Sequence, residues 1–259
     1  MAIDSNHRKI SEAGTKSLLR HIIGLMIFLA LWQLLTLFFP PMVVPPIPQV
    51  LRKLMAIIQG KKFWSTLSVT ICRFILGTLI GITAGGCLGI LCGASKTAED
   101  ILAPFISILQ VVPPICWVVL ALVWFGFNGK PCIFIVATTS VPPMVLNLSK
   151  GIHSVDQDLL EMGRLYHFSH RKELLHIVLP SIRPFFLSAL SIVVGSSWKL
   201  VVMGEVLTTS TGIGGAITTA RLNIEPDAII AWAVILVTLC FGTEWLLKRL
   251  LFGRSGQNA

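Results

Sequence analysis

Long runs of apolar residues, separated by short charged segments, dominate this chain. Six runs are close to or above the roughly 20 residues with which an α-helix crosses a bilayer, and they lie at residues 22–39, 68–92, 101–125, 133–148, 184–208 and 228–250. Charged residues make up only 13% of the chain, about half of their share in a soluble domain. The sequence therefore predicts an all-α, polytopic membrane protein with six transmembrane helices.

Prolines distinguish the third apolar run from the others. Pro104, Pro113 and Pro114 lie within it, and each lacks the N–H group that a helix interior uses for its backbone hydrogen bonds. We therefore expect this helix to be kinked or broken. The fourth run is the shortest, and we count it as a span because without it the number of crossings is odd and the charge balance is poor.

The distribution of lysine and arginine predicts the orientation in the membrane. If both termini are cytoplasmic, thirteen of the 21 cationic residues lie in cytoplasmic segments and six in outer segments, which agrees with the positive-inside rule. The other two, Arg73 and Lys199, lie in the interior of apolar runs, whereas Lys248 and Arg249 are counted at the cytoplasmic end of the last run. This orientation makes residues 1–21 and 251–259 cytoplasmic tails and residues 22–250 the transmembrane domain. We expect the first run to be a span rather than a signal peptide, because no small-residue cleavage site follows it.

The sequence contains no motif for disulfide formation, metal binding or nucleotide binding. The six cysteines form no C-x-x-C pair and lie mostly within apolar runs, so we expect no disulfide and no metal site. No G-x-x-x-x-G-K-[ST] loop is present to bind nucleotide phosphates. The net charge of +9 is scattered over short loops, where membrane topology and anionic headgroups explain it better than nucleic acid does. The chain is therefore predicted to bind no cofactor and to hydrolyse no ATP itself.

The segment at residues 151–183 is rich in charge for a chain of this composition. It connects the fourth and fifth runs on the predicted cytoplasmic side, and we expect it to form two short helices. Asp156 can cap the first helix, Ser169 can cap the second, and Pro180 should end the second. Each helix has an apolar face, formed by Leu159, Met162, Gly163 and Tyr166 in the first and by Leu174, Leu175 and Val178 in the second. Such helices can lie on lipid headgroups or bind another protein.

The order of residues in this segment resembles the EAA loop of ABC importer permeases. Glu161-Met162-Gly163-Arg164 is followed by Ser169 and then by Ile177-Val178-Leu179-Pro180, much as the family's Glu-Ala-Ala start is followed by a turn and an Ile-x-Leu-Pro end. In that family the loop forms the coupling helices that bind the cytoplasmic ATPase subunit. The resemblance implies ATPase contacts through Glu161, Met162, Gly163, Arg164, His167, Ser169, Leu179 and Pro180.

His167 is a departure from the family pattern, because a glycine is usual at this turn. Glycine adopts a positive φ without steric cost. Histidine is among the residues that are enriched in the same left-handed region, so we expect the fold of the loop to survive with a positive φ at His167. Met162 and Gly163 also replace the two alanines, which puts the affinity for a given ATPase in question.

The resemblance extends to the nitrate, sulfonate and taurine branch of these permeases. Consecutive blocks of that branch resemble residues 50–58, 102–130, 151–161 and 198–215, and the resemblance covers residues 20–250. It implies the fold of a type I ABC importer permease in a bacterial inner membrane, importing a sulfonate, taurine, nitrate or similar small anion. It also implies the partners: an extracytoplasmic substrate-binding protein, two ATPase subunits that hydrolyse the ATP, and a second permease copy in a homodimer.

Other functions remain open to sequence reasoning. A permease of the same family can carry a thiamine precursor or another organic solute, and export and metal permeases belong to the same superfamily. A secondary transporter is less favoured, because the two halves of the chain show no mutual similarity. An intramembrane enzyme is less favoured too, because no catalytic set of familiar spacing lies in a span.

Two ionisable residues lie within the fifth apolar run. Lys199 and Glu205 are separated by about 120° around a helix, and an ionisable group in hydrocarbon is costly and usually functional. Glu205 matches an acid that the family has near the outer end of this span, which implies a structural or gating role. Lys199 either pairs with an acid such as Glu244 or faces the translocation path. The resemblance implies that the following segment, with Gly212 and Gly214, closes the path on the outside and contacts the binding protein.

Overall fold

The computed structural model describes residues 26–251 together with residues 20, 23 and 24. The predicted tails, residues 1–21 and 251–259, lie almost entirely outside the described residues. Every regular element in the described part is helical, which confirms the predicted class. The elements are α1 (Met26–Phe38), α2 (Ile47–Gln59), α3 (Phe63–Ala94), α4 (Lys96–Val111), α5 (Pro114–Phe125), α6 (Lys130–His153), α7 (Gln157–Leu165), α8 (His170–Glu173), a π segment (Leu174–Val178), α9 (Leu179–Thr208), α10 (Gly212–Leu222) and α11 (Pro226–Leu251).

The long helices agree with the predicted spans. Four stretches are long and apolar enough to cross a membrane, namely α3, α6, the continuous helix His170–Thr208 and Pro226–Arg249 in α11. The pair α4 and α5 makes a fifth span if it is counted as one, and α1 is a shorter apolar helix. Within the described residues, each of the six predicted runs thus corresponds to an apolar helix or helix pair, and four or five of these have full spanning length.

The third predicted span is broken at its prolines, as expected. Helix α4 ends at Val111, α5 begins at Pro114, and the two axes are bent by 97°. Val112 has an extended backbone with ψ at 123°, which is the conformation that a following proline favours. Pro104, by contrast, lies inside α4 without ending it. The break therefore lies at Pro113 and Pro114 and not at Pro104, although the adjacent Pro142 and Pro143 lie inside α6 without ending that helix.

The expectation that Pro180 ends the second loop helix is wrong. Residues 170–208 form one continuous helix, in which α8 passes through the π segment into α9. Pro180 lies in the first turn of α9. The π segment immediately before it changes the backbone hydrogen-bond pattern, so the chain passes the proline without leaving the helical path. The connection that the structure leaves between two long helices is therefore shorter than the predicted loop, residues 151–183.

Glycines at every fourth position of α3 set its distance from α6. A Cβ atom added at Gly77, Gly81, Gly85 or Gly89 would lie 2.5–2.9 Å from the Cβ atom of the residue opposite, which is Val136, Ser140, Met144 or Leu148 in turn. Real side chains do not approach so closely, so only glycine permits this backbone separation. Small residues at four-residue spacing are a recurrent means of close helix packing in membranes.

Helix α9 packs on the same two helices to complete a central bundle. Met144 and Leu148 of α6 form a buried cluster with Ala189 and Val193 of α9. Between α3 and α9, the rings of Phe74 and Trp198 stack with centroids 4.2 Å apart. Close packing of this kind fixes the positions of α3, α6 and α9 relative to one another.

The described residues divide into two compact units. One contains the residues up to Ile58 together with Ala220–Ala231, and the other contains Gln59–Thr219 together with the residues from Trp232 onward. In the first unit, Lys53 of α2 forms an ion pair with Glu225, with Nζ and Oε2 2.7 Å apart. The second unit contains the central bundle and every residue of the candidate site below.

Candidate functional site

Helix α7 begins at the cap that the sequence predicts. Asp156 precedes the helix with an extended backbone, and its Oδ1 accepts a hydrogen bond from the backbone N–H of Asp158 at 2.9 Å. A carboxylate at this position satisfies a free N–H group and interacts favourably with the helix dipole. The predicted cap at Asp156 is confirmed.

Helix α7 ends in a reversal that is centred on His167. The φ of this residue is 52°, in the left-handed region. The N–H of Phe168 donates to the carbonyl of Gly163 at 2.9 Å, and the N–H of His167 donates to the carbonyl of Arg164 at 3.0 Å. These two bonds define a Schellman motif, in which a glycine usually occupies the left-handed position. The prediction of a positive φ at His167 is confirmed.

Gly163 allows α7 to lie against the chain that follows the reversal. It is buried, and a Cβ atom added to it would lie 3.2 Å from Cδ1 of Ile177 in the π segment and 3.7 Å from Cδ2 of Phe168. Both neighbours are apolar, so α7 is held by packing as well as by the two reverse hydrogen bonds. Gly163, which replaces one of the family's two alanines, is thus the contact point between α7 and the next helix.

Much of the surface of α7 is exposed. A shallow pocket on it is lined by Glu161, Arg164, Leu165 and His167. Leu165 and Tyr166 are 80% and 73% exposed, and Met162 is also exposed. Exposed apolar side chains next to charged residues are typical of a surface that contacts another protein. The structure thereby brings together the first five residues for which ATPase contact was predicted.

The other three residues of the predicted coupling loop lie in different settings. Ser169 precedes α8 as predicted, but its hydroxyl makes no capping bond, so that detail is wrong. The hydroxyl is exposed to solvent, whereas the backbone carbonyl of Ser169 accepts from Lys172 N–H at 2.8 Å and starts the helix without it. Leu179 and Pro180 line an apolar cavity of about 700 Å³ that α9 forms with Gly86 of α3 and with α6.

Glu205 is fully buried near the end of α9 and accepts hydrogen bonds from three donor groups. The hydroxyl of Thr70 donates to both carboxylate oxygens at 2.9 and 3.0 Å, and Nη1 of Arg73 donates to Oε1 at 2.7 Å. The backbone N–H of Gly214 donates to Oε2 at 2.9 Å. A buried carboxylate is stable only when it is paired and hydrogen-bonded in this way. The carboxylate thus joins α3, α9 and the first turn of α10.

Gly212 and Gly214 give the backbone access to this carboxylate. Gly212 has a φ of 82°, where glycine is strongly favoured, and a Cβ atom on it would overlap the carboxylate of Glu205. A Cβ atom on Gly214 would overlap Cβ of Glu205. Gly212 and Gly214 are therefore neighbours of Glu205, the acid for which the sequence analysis expects a structural or gating role.

Lys199 and Glu244 do not form an ion pair. In the described part of the chain, ion pairs within 4.0 Å join Lys53 to Glu225, Arg73 to Glu205, and Lys96 to Glu99 and Asp100. Lys199 is exposed on α9. Glu244 lies beside Gly195, where an added Cβ atom would be 2.9 Å from its Oε1, and it accepts from the Cys240 thiol at 3.8 Å.

Sequence reasoning missed Thr70 and Arg73 as partners of Glu205. Arg73 carries a usable signal, because it is a cation within a predicted span, and such residues usually pair with an acid or serve a function. Its acid lies 132 positions away, so spacing along the chain could not identify it. In the described residues, no group of three or more His, Cys, Asp and Glu side chains is arranged to hold a metal ion.

The family model for the binding-protein-dependent transport system inner membrane component matches residues 85–253. Curated relatives include SsuC of Bacillus subtilis, named for aliphatic sulfonates transport, which is 30% identical over 81% of this chain and 76% of its own. TauC of Escherichia coli, a taurine transport system permease protein, is 27% identical over 85% of this chain and 82% of its own. NrtB of Leptolyngbya laminosa, a nitrate import permease protein, is 31% identical over 68% of this chain and 63% of its own.

The solved structures show the same fold. A chain of the MetNI methionine ABC transporter in an inward-facing conformation superposes with a TM-score of 0.56 over 73% of this chain and 93% of that chain, at 18% identity. The family match covers more than half of the described sequence, including α7 and Glu205. The chain therefore belongs to the family of binding-protein-dependent transport system inner membrane components, and it is a multi-pass permease subunit of an ABC importer that depends on a binding protein and on a separate ATPase for ATP hydrolysis.

Proposed function

We propose that this permease imports a small oxyanion, of the class that includes sulfonates, taurine and nitrate. The observation that carries the proposal is the similarity to relatives named for these substrates. Lys199 supports it, because its ammonium is exposed on a membrane-spanning helix and has no acid within 4.0 Å in the described residues. Such a group attracts an anion strongly when little water surrounds it. Lys199 then faces the translocation path.

The substrate proposal is tested by changing Lys199 in the reconstituted importer. Uptake of taurine, an alkanesulfonate, nitrate and a thiamine precursor is measured in proteoliposomes that contain the ATPase and the binding protein. We expect Lys199→Met to lower oxyanion uptake about tenfold or more, and Lys199→Arg to keep part of it because the charge remains. Lys62→Met is the matched control, since it removes an exposed lysine outside the spans.

Two results contradict the role of Lys199. Wild-type uptake by Lys199→Met shows that the path does not use this charge. Failure of Lys199→Met to assemble, with rescue by a second change at Glu244, identifies the lysine as a structural partner of that acid. Uptake of the thiamine precursor alone by the unaltered importer refutes the substrate class itself.

The coupling function is proposed for α7 and the reversal that follows it. The exposed pocket lined by Glu161, Arg164, Leu165 and His167, with Met162 beside it, is suited to bind the ATPase subunit. Gly163 keeps α7 against the helix that begins at residue 170. Because that helix is continuous as far as Thr208, a displacement of α7 is passed on to a membrane-spanning helix. Ser169, Leu179 and Pro180 serve this connection.

The assembly that we propose contains two copies of this chain and two ATPase subunits, with both termini of each copy cytoplasmic. The charge distribution supports this orientation, because it places thirteen of the 21 cationic residues inside. ATP binding brings the ATPase subunits together, the α7 helices move with them, and the spans open outward to receive the anion from the binding protein. Glu205, Gly212 and Gly214 belong to the segment that closes the path on the outside and contacts the binding protein.

A further inference from the structure

We propose that Arg73 is a positioning residue for the connection between α9 and α10. Together with Thr70, it latches residues 211–214 to α3, so that this connection moves with α3 and α9 as one body and does not open as an independent flap. We call this set of contacts the α3 latch. The proposal deepens the outer closing role proposed for Gly212 and Gly214, and it rests on that role.

Charge compensation is the first reason to assign the latch to Arg73. The Glu205 side chain is fully buried, and that of Arg73 is 12% exposed. In the described part of the chain, Arg73 is the cation that forms an ion pair with this carboxylate, at 2.7 Å. Removing one member of a buried ion pair leaves an uncompensated charge in a medium of low polarity. Arg73 therefore determines whether the carboxylate can stay at the start of α10.

The second reason is that one guanidinium joins two separate parts of the chain. Nη1 of Arg73 donates to Oε1 of Glu205 at 2.7 Å and to the backbone carbonyl of Thr211 at 3.1 Å. Nη2 donates to the hydroxyl of Thr211 at 2.8 Å. The planar group offers several N–H donors in fixed directions, which a lysine ammonium does not. Arg73 thus binds the residue that immediately precedes α10 at the same time as the acid of α9.

Thr70 supplies the third contact, from one turn earlier on α3. Its hydroxyl donates to Glu205 and accepts from the backbone N–H of Ile213 at 2.8 Å. The N–H of Gly214 donates to Glu205 itself. Free N–H groups in the first turn of a helix need acceptors. In α10 the acceptor for Ile213 is Thr70 of α3, and the acceptor for Gly214 is Glu205 of α9. If the connection moved away from α3 and α9, both N–H groups would lose their acceptors.

The glycines of this region make the latch compact. Side chains at Gly212 and Gly214 would overlap Glu205, and a side chain at Gly129, in the connection between α5 and α6, would overlap the Arg73 guanidinium. Ile213 has no exposed surface between the two glycines of the connection. A segment with such extensive packing and hydrogen bonding rarely opens on its own. Glycine here serves close approach to charged groups, not hinge motion.

The test uses the accessibility of residue 213. Ile213→Cys is introduced where the other cysteines have been replaced, and the purified importer, complete with ATPase and binding protein, is treated with a maleimide. The labelling rate is measured without nucleotide and after trapping with ATP and vanadate. We expect slow labelling in both states. We expect Arg73→Gln to raise the rate about tenfold or more, since a charge-assisted bond is lost, and Arg73→Lys to raise it less.

Two controls separate local release from general loosening. Lys62→Gln removes an exposed cation outside the latch and should leave the rate at residue 213 unchanged. In a parallel protein that keeps only native Cys92, which is buried near the other end of α3 at 2% exposure, Arg73→Gln should not raise labelling. If Arg73→Gln does not assemble, Arg73→Lys and Thr211→Ala provide the same measurement with milder changes.

Three results would overturn the proposal. Unchanged protection of residue 213 in the assembled Arg73 and Thr211 variants shows that Arg73 does not hold the connection. A parallel rise at Cys92 shows that Arg73 acts on overall stability. Rapid labelling of residue 213 in one nucleotide state, with Arg73 intact, shows that the connection opens as a separate flap. None of these measurements involves a transported substrate, so failure of the oxyanion proposal would appear as altered uptake and leave the labelling pattern intact.

Discussion

His167 occupies a backbone conformation in which most side chains are strained. Its φ of 52° is required by the two reverse hydrogen bonds that end α7. A residue other than glycine pays about 1–2 kcal/mol for this region, and histidine is tolerated better than most. The same side chain lines the pocket of α7 with Glu161 and Arg164. Its backbone cost and its surface role can therefore be separated by mutation.

We expect His167→Gly to stabilise the purified permease by up to about 1 kcal/mol, because glycine removes the strain but loses more conformational entropy on folding. The measurement is the free energy of unfolding in a mild detergent. His167→Ala, which keeps a Cβ atom and lacks the imidazole, should be less stable than His167→Gly. A glycine variant that is less stable than the alanine variant contradicts the Schellman interpretation.

Local features of single residues were predictable from the sequence, whereas long-range partners were not. The cap at Asp156 and the positive φ at His167 depend on neighbours within a few positions, so the sequence carries them directly. The place of Glu205 in an apolar run marked it as an unusual ionisable residue. Its burial and its contacts with Thr70 and Arg73 were not predictable, because they depend on how α3 and α9 pack together.

Among the elements, α7 is the one whose surface and position suit a docking role. It is short, it is fixed at both ends, and the helix that it packs against continues through a complete membrane span. A charge at the centre of such a contact affects binding more strongly than one at its edge. The proposed coupling function therefore depends on the charges of this one helix.

We expect Glu161→Lys to abolish uptake and to weaken co-purification of the ATPase, with insertion at normal levels. The reversal removes an acid from the interface and introduces a cation, which costs a few kcal/mol in a close contact. Asp100→Lys is the matched control, since Asp100 is an exposed acid on the predicted cytoplasmic side whose pair with Lys96 contributes little to stability. Full uptake by Glu161→Lys would contradict the ATPase contact and would indicate that α7 lies on lipid headgroups.

Element boundaries were predictable at some prolines and not at others. The third span is broken at Pro113 and Pro114, as the missing N–H groups and the bias of the preceding residue predict, whereas the adjacent Pro142 and Pro143 lie inside α6 without ending it. Pro180 did not end its helix, because the π segment before it rearranges the backbone hydrogen bonds. The close packing of α3 and α6 was missed, although the four-residue glycine spacing of α3 is visible in the sequence and predicts it.

At the scale of the whole molecule, the orientation in the membrane is the property that the charge count predicts. Cysteines are placed singly at Lys61 and Lys172, both exposed, in a chain without the native six cysteines. Because Lys61 lies in a predicted outer segment and Lys172 in a cytoplasmic one, an impermeant thiol reagent should label only Lys61→Cys in intact cells. Both should react after permeabilisation, which controls for exposure, and equal labelling before it contradicts the six-span arrangement.

The general class of the molecule was predictable because composition alone excludes a soluble fold. The family was predictable because several motifs occur in the right order. The substrate was not predictable, since the sequence of the permease contains few polar groups that could select among anions. Lys199 lies in the apolar part of a described span and has no acid within 4.0 Å among the described residues. One ammonium can favour anions as a class without distinguishing nitrate from a sulfonate.

The glycine spacing of α3 makes one face of this helix unusually sensitive to genetic change. Every missense change of a single nucleotide in a glycine codon introduces at least a Cβ atom. At Gly77, Gly81, Gly85 and Gly89 that atom would overlap a side chain of α6, and such overpacking costs about 1–3 kcal/mol at each site. The opposite face of α3, where Leu76, Leu79 and Ile80 are exposed, tolerates exchange among apolar residues. Inherited variation along this helix should therefore follow its four-residue period.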